Sequence, residues 1–203
     1  MSEITLKIDF ATYEQCKFAC LNFHYAKSVP SAKLIKFGVW EDDKFIGCVV
    51  FGGGANPHIA RPYGLKNGEA CELVRVALRE HKHTVTKIVS ICIKMLKKHY
   101  PKLKVAISYA DENQGHVGGI YKAGNWIYTG EFAFERGIML NGKLVHRRTL
   151  NSTYGSSRID FIKTLDPNAK VIQGKPKHKY VYPLDNSLRP KLQAMSKPYP
   201  KRS

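Results

Sequence analysis

Residues 107–130, ISYADENQGHVGGIYKAGNWIYTG, place an acid, an amide and an imidazole directly after a strand-like apolar run. Asp111 stands where ligands collect, at the carboxyl end of a strand, so it is a candidate proton acceptor or metal ligand. A helix N-cap is the structural alternative for this aspartate. His116 follows Gly115, and glycine leaves room for a substrate beside an imidazole that can act as a base or a ligand. A histidine that bonds a carbonyl near a helix N-terminus is the alternative reading.

Five more polar residues are candidates for the same chemistry. His24 and Tyr25 follow directly after a predicted helix, and side-chain packing is the structural alternative for this segment. Glu72 and Arg75 interrupt the apolar run CELVRVAL, and a charged residue inside such a strand is either paired or functional. Strand alternation sends these two side chains to opposite faces, and a buried ion pair is the structural alternative. Ser108 lies near the end of the next strand, LKVAISYA, and can reach the gap between that strand and CELVRVAL. With Asp111 and His116, these residues form the candidate catalytic set.

Metal binding and base binding are two further hypotheses for these segments. His24, Asp111 and His116 together would make a two-histidine, one-carboxylate site suited to iron, although they come from separate elements. A base drawn out of its stack needs an aromatic or apolar slot. The candidates for such a base pocket are Tyr121, Trp126 and Tyr128, with core packing as the alternative for Trp126.

The order of strands and helices predicts how these residues are positioned. EITLKID alternates as a first strand, TYEQCKFACLNFHY has helical spacing, and KLIKFGVWEDDKFIGCVVFGG reads as a hairpin. CELVRVAL and LKVAISYA are strands on either side of the long helix TVTKIVSICIKMLKKHYP. A short helix over 116–123, the strand NWIYTGEFAF, a hairpin at Asn141-Gly142 and a helix within TYGSSRIDFIKTL follow. After residue 166 we expect little regular structure apart from a short strand at KYVYP. The pattern predicts an α/β (α+β) domain with one central mixed sheet and helices on both faces.

Charge is the strongest global feature of the chain. The 203 residues carry a formal net charge of +17, and residues 141–203 hold fourteen basic against three acidic residues. Basic residues interleaved with tyrosines are typical of nucleic-acid binding, because cations contact phosphate while rings stack on bases. The candidate phosphate contacts are Arg147, Arg148, Lys175, Lys177 and Lys179.

Other features of the sequence bear on where the protein is located in the cell and whether it crosses a membrane. No run approaches the roughly 18 apolar residues of a membrane span. The charged N-terminal residues do not resemble a secretion signal, and five cysteines without a CxxC pair fit a reducing cytoplasm. The oligomeric state stays open, with a homodimer as one option.

Several motifs in order resemble the Mom family of phage DNA-modification proteins. They are FHYAKSVP, KFGVWEDDKFIGCVVFGGGA, CELVRVAL and ISYADENQGHVGGIYKAGNWIYTG, then a basic hairpin that ends VHRRT, over about residues 21–150. The resemblance implies transfer of a methylcarbamoyl (acetamido) group to the 6-amino group of adenine in double-stranded DNA. Such a group protects phage DNA from host restriction endonucleases, because it blocks readout of base edges in the major groove.

The order of elements also resembles the GNAT acyltransferase fold, in which two central strands splay apart and a cofactor sits in the gap. CELVRVAL and LKVAISYA would be the splayed strands, and His24 and Tyr25 would line the acceptor groove. We therefore expect a GNAT-like catalytic domain over residues 1–150. Residues 151–203 would be a basic C-terminal extension that packs on or flanks this domain and contacts DNA.

The group donor is not indicated by the resemblance to GNAT enzymes. Those enzymes hold the pyrophosphate of acetyl-CoA on a glycine-containing Gln/Arg-x-x-Gly-x-Gly/Ala turn, whereas this chain has REHKHTV at that place. Acetyl-CoA is therefore disfavoured, and Arg79, Lys82 and His83 are candidates to hold another phosphate-bearing donor by charge. Two alternatives stay open: a GNAT acyltransferase for a protein, RNA or small molecule, and a non-catalytic protein that shields DNA by binding it.

Overall fold

A computed structural model of the chain describes residues 4–30, 33–54, 58–132 and 135–200. The strands and helices in chain order are β1 (Leu6–Phe10), α1 (Tyr13–Phe23), β2 (Leu34–Glu41), β3 (Lys44–Gly52), β4 (Ala70–Leu78), α2 (Val85–His99), β5 (Val105–Asp111), α3 (Gly119–Ala123), β6 (Ile127–Phe132), β7 (Glu135–Leu140), β8 (Lys143–Val145), α4 (Arg147–Tyr154), α5 (Ile159–Leu165), β9 (Lys170–Gln173), β10 (Lys177–Pro183) and α6 (Arg189–Gln193).

A seven-stranded sheet in the order β1-β2-β3-β4-β5-β10-β6 forms the centre of the molecule. Its neighbouring strands are antiparallel except for β4 and β5, which are parallel. The pairing between β4 and β5 covers only Ala70–Glu72 against Val105–Ile107, although both strands continue further. The two strands therefore splay apart, as predicted, and leave a gap in the middle of the sheet.

Helices cover both faces of this sheet. On β3, Val49 packs in the cluster that contains the buried residues of α2, whereas Val50 packs with those of α1. Adjacent strand residues point to opposite faces, so α1 and α2 lie on opposite sides. Thr12 caps α1 as predicted, because its side chain accepts a hydrogen bond from the backbone N–H of Gln15. Across the part of the chain that the structure describes, no helix is both long and apolar enough to cross a bilayer.

Two helix predictions in the second half of the chain were wrong in their bounds. The helix expected from residue 116 begins at Gly119, because Gly118 has a left-handed backbone (φ 83°). A Cβ on Gly118 would collide with the ring of Tyr180, so this position requires glycine. The helix expected within residues 153–165 is two helices, because Gly155 ends α4 in a left-handed C-cap (φ 75°) and α5 begins after it.

After residue 166 the predicted short strand at KYVYP was confirmed as part of β10, whereas the expectation of little other regular structure was wrong. β9 and β10 both form there, and β10 lies inside the central sheet between β5 and β6. Tyr180 and Val181 of β10 pack into clusters on the two opposite faces of that sheet. Part of the predicted C-terminal extension is thus a central strand of the fold.

A smaller unit connects β6 to β10, and we call residues 135–173 the insertion. Its three strands form a second sheet in the order β8-β7-β9, and the predicted hairpin at Asn141-Gly142 joins β7 to β8. Both turn residues have positive φ, as a two-residue hairpin of this kind requires. The insertion has a hydrophobic core of its own, around Ile138, Leu150 and Ile162.

Candidate active site

A cavity of about 660 Å³ opens between β4 and β5, where the two strands have separated. The end of α1, the start of α2, the segment after β5 and α3 complete its walls. The structure brings five of the seven predicted catalytic residues into its lining, namely His24, Tyr25, Arg75, Asp111 and His116. Residues far apart in sequence therefore meet at one place, although the chemistry assigned to them stays a prediction.

The other two predicted catalytic residues lie outside the cavity lining. Ser108 is buried, and its hydroxyl donates to the carbonyl of Leu73 at 3.1 Å and is joined to the hydroxyl of Tyr121 at 2.7 Å. It therefore bridges β4 and β5 at the point where they separate. Glu72 lies against Gly54, on the loop after β3. The contacts of Ser108 indicate a role in shaping the sheet.

One of the three residues predicted for the base pocket lines the cavity. Tyr121 does so, and its ring stacks on Tyr180 with centroids 4.9 Å apart. Trp126 and Tyr128 are buried in the main core and are not part of the lining. The alternative of core packing for Trp126 is therefore confirmed.

His24 is a neutral imidazole at physiological pH. Partial burial lowers its pKa to about 4, and the positive charges of Arg75 and Lys27, together with His116, act in the same direction. Its Nδ1 accepts a hydrogen bond from the backbone N–H of Ala26 at 3.1 Å. The proton of the neutral ring is then on Nε2, which makes that nitrogen a hydrogen-bond donor.

We expect the neutrality of His24 to be visible in its titration. In the folded protein its NMR signal should titrate near pH 4, below the ordinary value of 6.5. Because the unfolded chain takes up this proton at the higher pH, the histidine should lower stability as the pH falls from about 6.5 towards 4. A His24→Gln variant assigns the signal. A midpoint near 6.5 would contradict the described environment.

Asp111 is held at the end of β5 by its partner on β10. Its backbone is paired with Lys177, whose Nζ lies 3.6 Å from Asp111 Oδ2. The side chain of Asp111 is only 14% exposed. The lysine therefore fixes the position of a largely buried carboxylate at the cavity wall.

His116 lies on a short segment that three contacts hold in place. Its backbone N–H donates to the carbonyl of Asp111 at 3.2 Å. Glu112 begins the 3₁₀ turn between them and lies 3.6 Å from His178 Nε2 and 3.7 Å from Lys175 Nζ. The start of β10 therefore positions both His116 and Asp111, a link between distant segments that the sequence did not indicate.

Arg75 is the one cation that β4 places on the cavity wall. In the pairing with β3, Val50 faces Arg75 and Phe51 faces Leu73, so Val74 is an extra, bulged residue. The bulge interrupts the regular alternation of side chains along β4. The prediction that Glu72 and Arg75 point to opposite faces depended on that alternation. Arg75 Nη1 donates to the carbonyl of Val74 at 2.7 Å, while Nε is buried without a hydrogen-bond partner. A buried N–H without an acceptor costs about 1–3 kcal/mol.

The three residues proposed as iron ligands do not have ligating geometry. Within the described ranges, no group of three His, Cys, Asp or Glu side chains is arranged to hold a metal ion. Nδ1 of His24 is engaged by Ala26 and its other nitrogen carries a proton, so the ring presents no lone pair to a metal. The arrangement does not fit iron, and no chemical step is assigned to a metal here.

The turn between β4 and α2 is occupied by a carboxylate of the chain itself. The carboxylate of Glu41 accepts hydrogen bonds from the backbone N–H groups of Lys82, at 2.9 and 3.0 Å, and of His83, at 2.8 Å. The His83 ring adds a contact of 2.8 Å. Neither Arg79, Lys82 nor His83, the predicted donor-binding residues, lines the cavity. Glu41 was not identified from the sequence, where nothing couples it to a turn some forty residues away.

We expect Glu41→Gln to destabilise this turn. Burial alone would raise the pKa of Glu41, but the hydrogen bonds from His83 and Lys82 outweigh it and hold the pKa below the ordinary 4.5. The stabilisation is therefore complete above about pH 4.5 and is lost as the pH falls through the lower folded pKa. At neutral pH the variant should lose about 1–3 kcal/mol of unfolding free energy, measured by urea denaturation at a series of pH values. The exposed neighbour Glu80 supplies the control Glu80→Gln, and equal losses in the two variants would contradict the assignment.

The basic residues predicted to contact phosphate fall into two groups. Arg148 and Lys175 are exposed, Lys175 with 63% of its side chain accessible although its Nζ lies 3.7 Å from Glu112. Arg147 instead donates to the carbonyl of Ser157 within the insertion. Lys177 lies beside Asp111, and Lys179 covers the ring of Tyr63 at 5.2 Å, where burial lowers its pKa. The second group therefore has structural contacts that compete with the predicted phosphate role.

Comparisons with known proteins agree on fold and family. An N-acetyltransferase from Staphylococcus aureus Mu50 superposes with a TM-score of 0.51 at 10% identity, over 90% of this chain and 99% of that one. The aminoglycoside N-acetyltransferase AAC(6')-Ib11 gives 0.52 at 8% identity, over 91% and 99%. At such identities the likeness shows the fold alone, and the fold is the predicted GNAT-like one.

Comparison of sequences identifies the family, which the comparison of structures does not. The methylcarbamoylase Mom of Escherichia phage Mu is 24% identical over 187 residues, which cover 88% of this chain and 76% of that protein. The model of the Mom protein family matches residues 5–201, nearly the whole chain. The chain therefore belongs to the Mom protein family.

Proposed function

We propose that this transferase adds a methylcarbamoyl group to the 6-amino group of adenine in double-stranded phage DNA. The modification would protect the DNA from host restriction endonucleases. The observation that carries the proposal is the cavity between β4 and β5, where His24, Arg75, Asp111 and His116 meet in a member of the Mom family. The relative from phage Mu bears the name methylcarbamoylase, which supports this choice of transferred group.

The cavity residues match the demands of the reaction. The adenine amine is a weak nucleophile because its lone pair is delocalised into the ring, so it has to lose a proton as the new N–C bond forms. In the same transfer the bond between the carbon and its donor breaks, and the leaving group departs with that electron pair. Asp111 is the candidate acceptor for that proton, and Lys177, 3.6 Å away, holds the carboxylate at the cavity wall. The guanidinium of Arg75, on the cavity wall, offers N–H donors for the carbonyl oxygen of the transferred group. The neutral His24 offers an Nε2–H donor, which suits a ring nitrogen of the base.

Charge favours DNA as the partner. The net charge of +17 attracts a polyanion, and exposed Arg148 and Lys175 are candidates to contact phosphate. A cytoplasmic location, where phage DNA is replicated, is part of the proposal. All five cysteines are free thiols, as expected in a reducing compartment.

Nucleoside mass measurement tests the proposal. The chain is expressed in bacteria, and the cellular DNA is purified and digested to nucleosides. The masses of the deoxyadenosine species are then measured by mass spectrometry. A new species heavier by one acetamido group is expected, and unmodified adenosine from cells with verified soluble protein would overturn the proposal. An added acetyl group would instead support an ordinary acyltransferase.

A further inference from the structure

The connection between β6 and β10 is unusual for two antiparallel neighbours. Such neighbours are commonly joined by two to five residues. Here the insertion of residues 135–173 intervenes, with a sheet of three strands, two helices and a separate hydrophobic core. A separately folded unit placed in a strand connection indicates an added function, because the central sheet does not need it to close.

The insertion is anchored beside the active-site cavity. β6 ends at Phe132 and β10 begins at Lys177, and these two residues are paired in the sheet. On its other side Lys177 is paired with Asp111, which lines the cavity. Both ends of the insertion therefore leave the central sheet next to the carboxylate proposed as the proton acceptor.

α4 presents one polar face to solvent. Of its eight residues only Leu150 is buried, and it packs into the core of the insertion. Arg148, Asn151 and Ser152 have the i, i+3, i+4 spacing of a single helix face, on the side opposite Leu150. All three are exposed. Their side chains are those that contact base edges: arginine bonds guanine, asparagine bonds adenine, and serine can bond either.

The position of α4 is fixed within the insertion. His146 caps the helix, since its Nδ1 accepts from the backbone N–H of Arg148 at 3.1 Å. Arg147 donates to the carbonyl of Ser157 in the short turn that leads to α5. The insertion is also basic, with seven lysines and arginines against three acidic residues. A rigid helix on a cationic support suits docking to a duplex.

We propose that α4 enters the major groove of B-form DNA and reads base pairs that flank the adenine, with Arg148 and Asn151 as the reading residues. The inference rests on the proposed function in taking duplex DNA as the substrate. The major groove, roughly 12 Å wide, admits an α-helix. α5 is the less suitable helix, because its exposed residues include Asp160 and Phe161. The insertion thus supplies sequence selection, and the cavity supplies chemistry.

Base reading by α4 is tested by selecting the duplexes that the protein binds from a pool of random sequence. This measurement does not depend on the chemical step. Wild-type protein should enrich a preferred sequence. Arg148→Ala combined with Asn151→Ala should reduce the ratio between preferred and random duplexes by about tenfold or more, as expected for loss of paired base contacts. Lys94→Ala combined with Lys98→Ala removes two exposed cations of α2 and should keep the preferred sequence.

A charge-preserving variant separates base reading from phosphate contact. Arg148→Lys keeps the positive charge but loses the bidentate hydrogen bonding by which a guanidinium recognises guanine. We expect it to relax the preference at one base pair while affinity for random DNA stays close to wild type. A sequence preference unchanged in Arg148→Lys, or no preference in the wild-type protein, would overturn the inference. Unmodified adenine together with intact sequence selection would instead overturn the proposed function and leave this inference standing.

Discussion

Asp111→Asn should lower the rate of DNA modification by about a hundredfold to ten-thousandfold, the range expected when a general base is removed. Asparagine has nearly the shape of aspartate and keeps an oxygen acceptor, but it cannot take the proton that the adenine amine loses. The effect is measured as the fraction of modified deoxyadenosine formed over time. Thermal unfolding of the variant checks that the fold is intact.

The matched control for this substitution is Asp43→Asn. Asp43 is exposed in the turn between β2 and β3 and has a positive φ of 61°, a conformation that asparagine tolerates. This variant should modify DNA at the wild-type rate. A modification rate in Asp111→Asn within a few-fold of the control would show that Asp111 positions the segment after β5 and takes up no proton.

The elements that carry strong local patterns were predictable from the sequence. The helical spacing of α2, the capping threonine of α1 and the Asn-Gly turn in the insertion each depend on residues close together in the chain. The crowding of Asp111 and His116 is likewise local, since both follow one strand. Periodicity and turn chemistry report such features directly.

Features that depend on distant partners were not predictable in this way. The position of β10 between β5 and β6 follows from pairing across some seventy residues, and its first residue, Lys177, helps to hold Asp111. The bulge at Val74 changes which face the following side chains take, and no pattern in CELVRVAL marks it. The occupation of the β4–α2 turn by Glu41 is also a long-range contact. Five of the seven predicted catalytic residues were thus placed at the cavity, but the contacts that support them were not predicted.

Arg75→Lys should reduce DNA modification roughly ten- to a hundredfold in kcat/KM, equivalent to about 1.5–3 kcal/mol for a lost hydrogen bond to a charged group. Lysine keeps the positive charge, but its single ammonium group cannot bond the carbonyl of Val74 and also reproduce the remaining N–H donors of the planar guanidinium. Arg61→Lys, at an exposed arginine in the turn before β4, is the control and should leave modification unchanged.

The titration of His24 shows whether Arg75 acts through its charge or through its hydrogen bonds. Arg75 is one of the charges that depress the pKa of His24, so Arg75→Gln should raise that pKa towards 6.5, whereas Arg75→Lys should leave it near 4. A loss of modification in Arg75→Lys without a change in this titration would assign the loss to the missing guanidinium donor. Retained modification in Arg75→Lys would mean that the cavity requires only a cation at this position, and the proposed contact with the carbonyl of the transferred group would then be wrong.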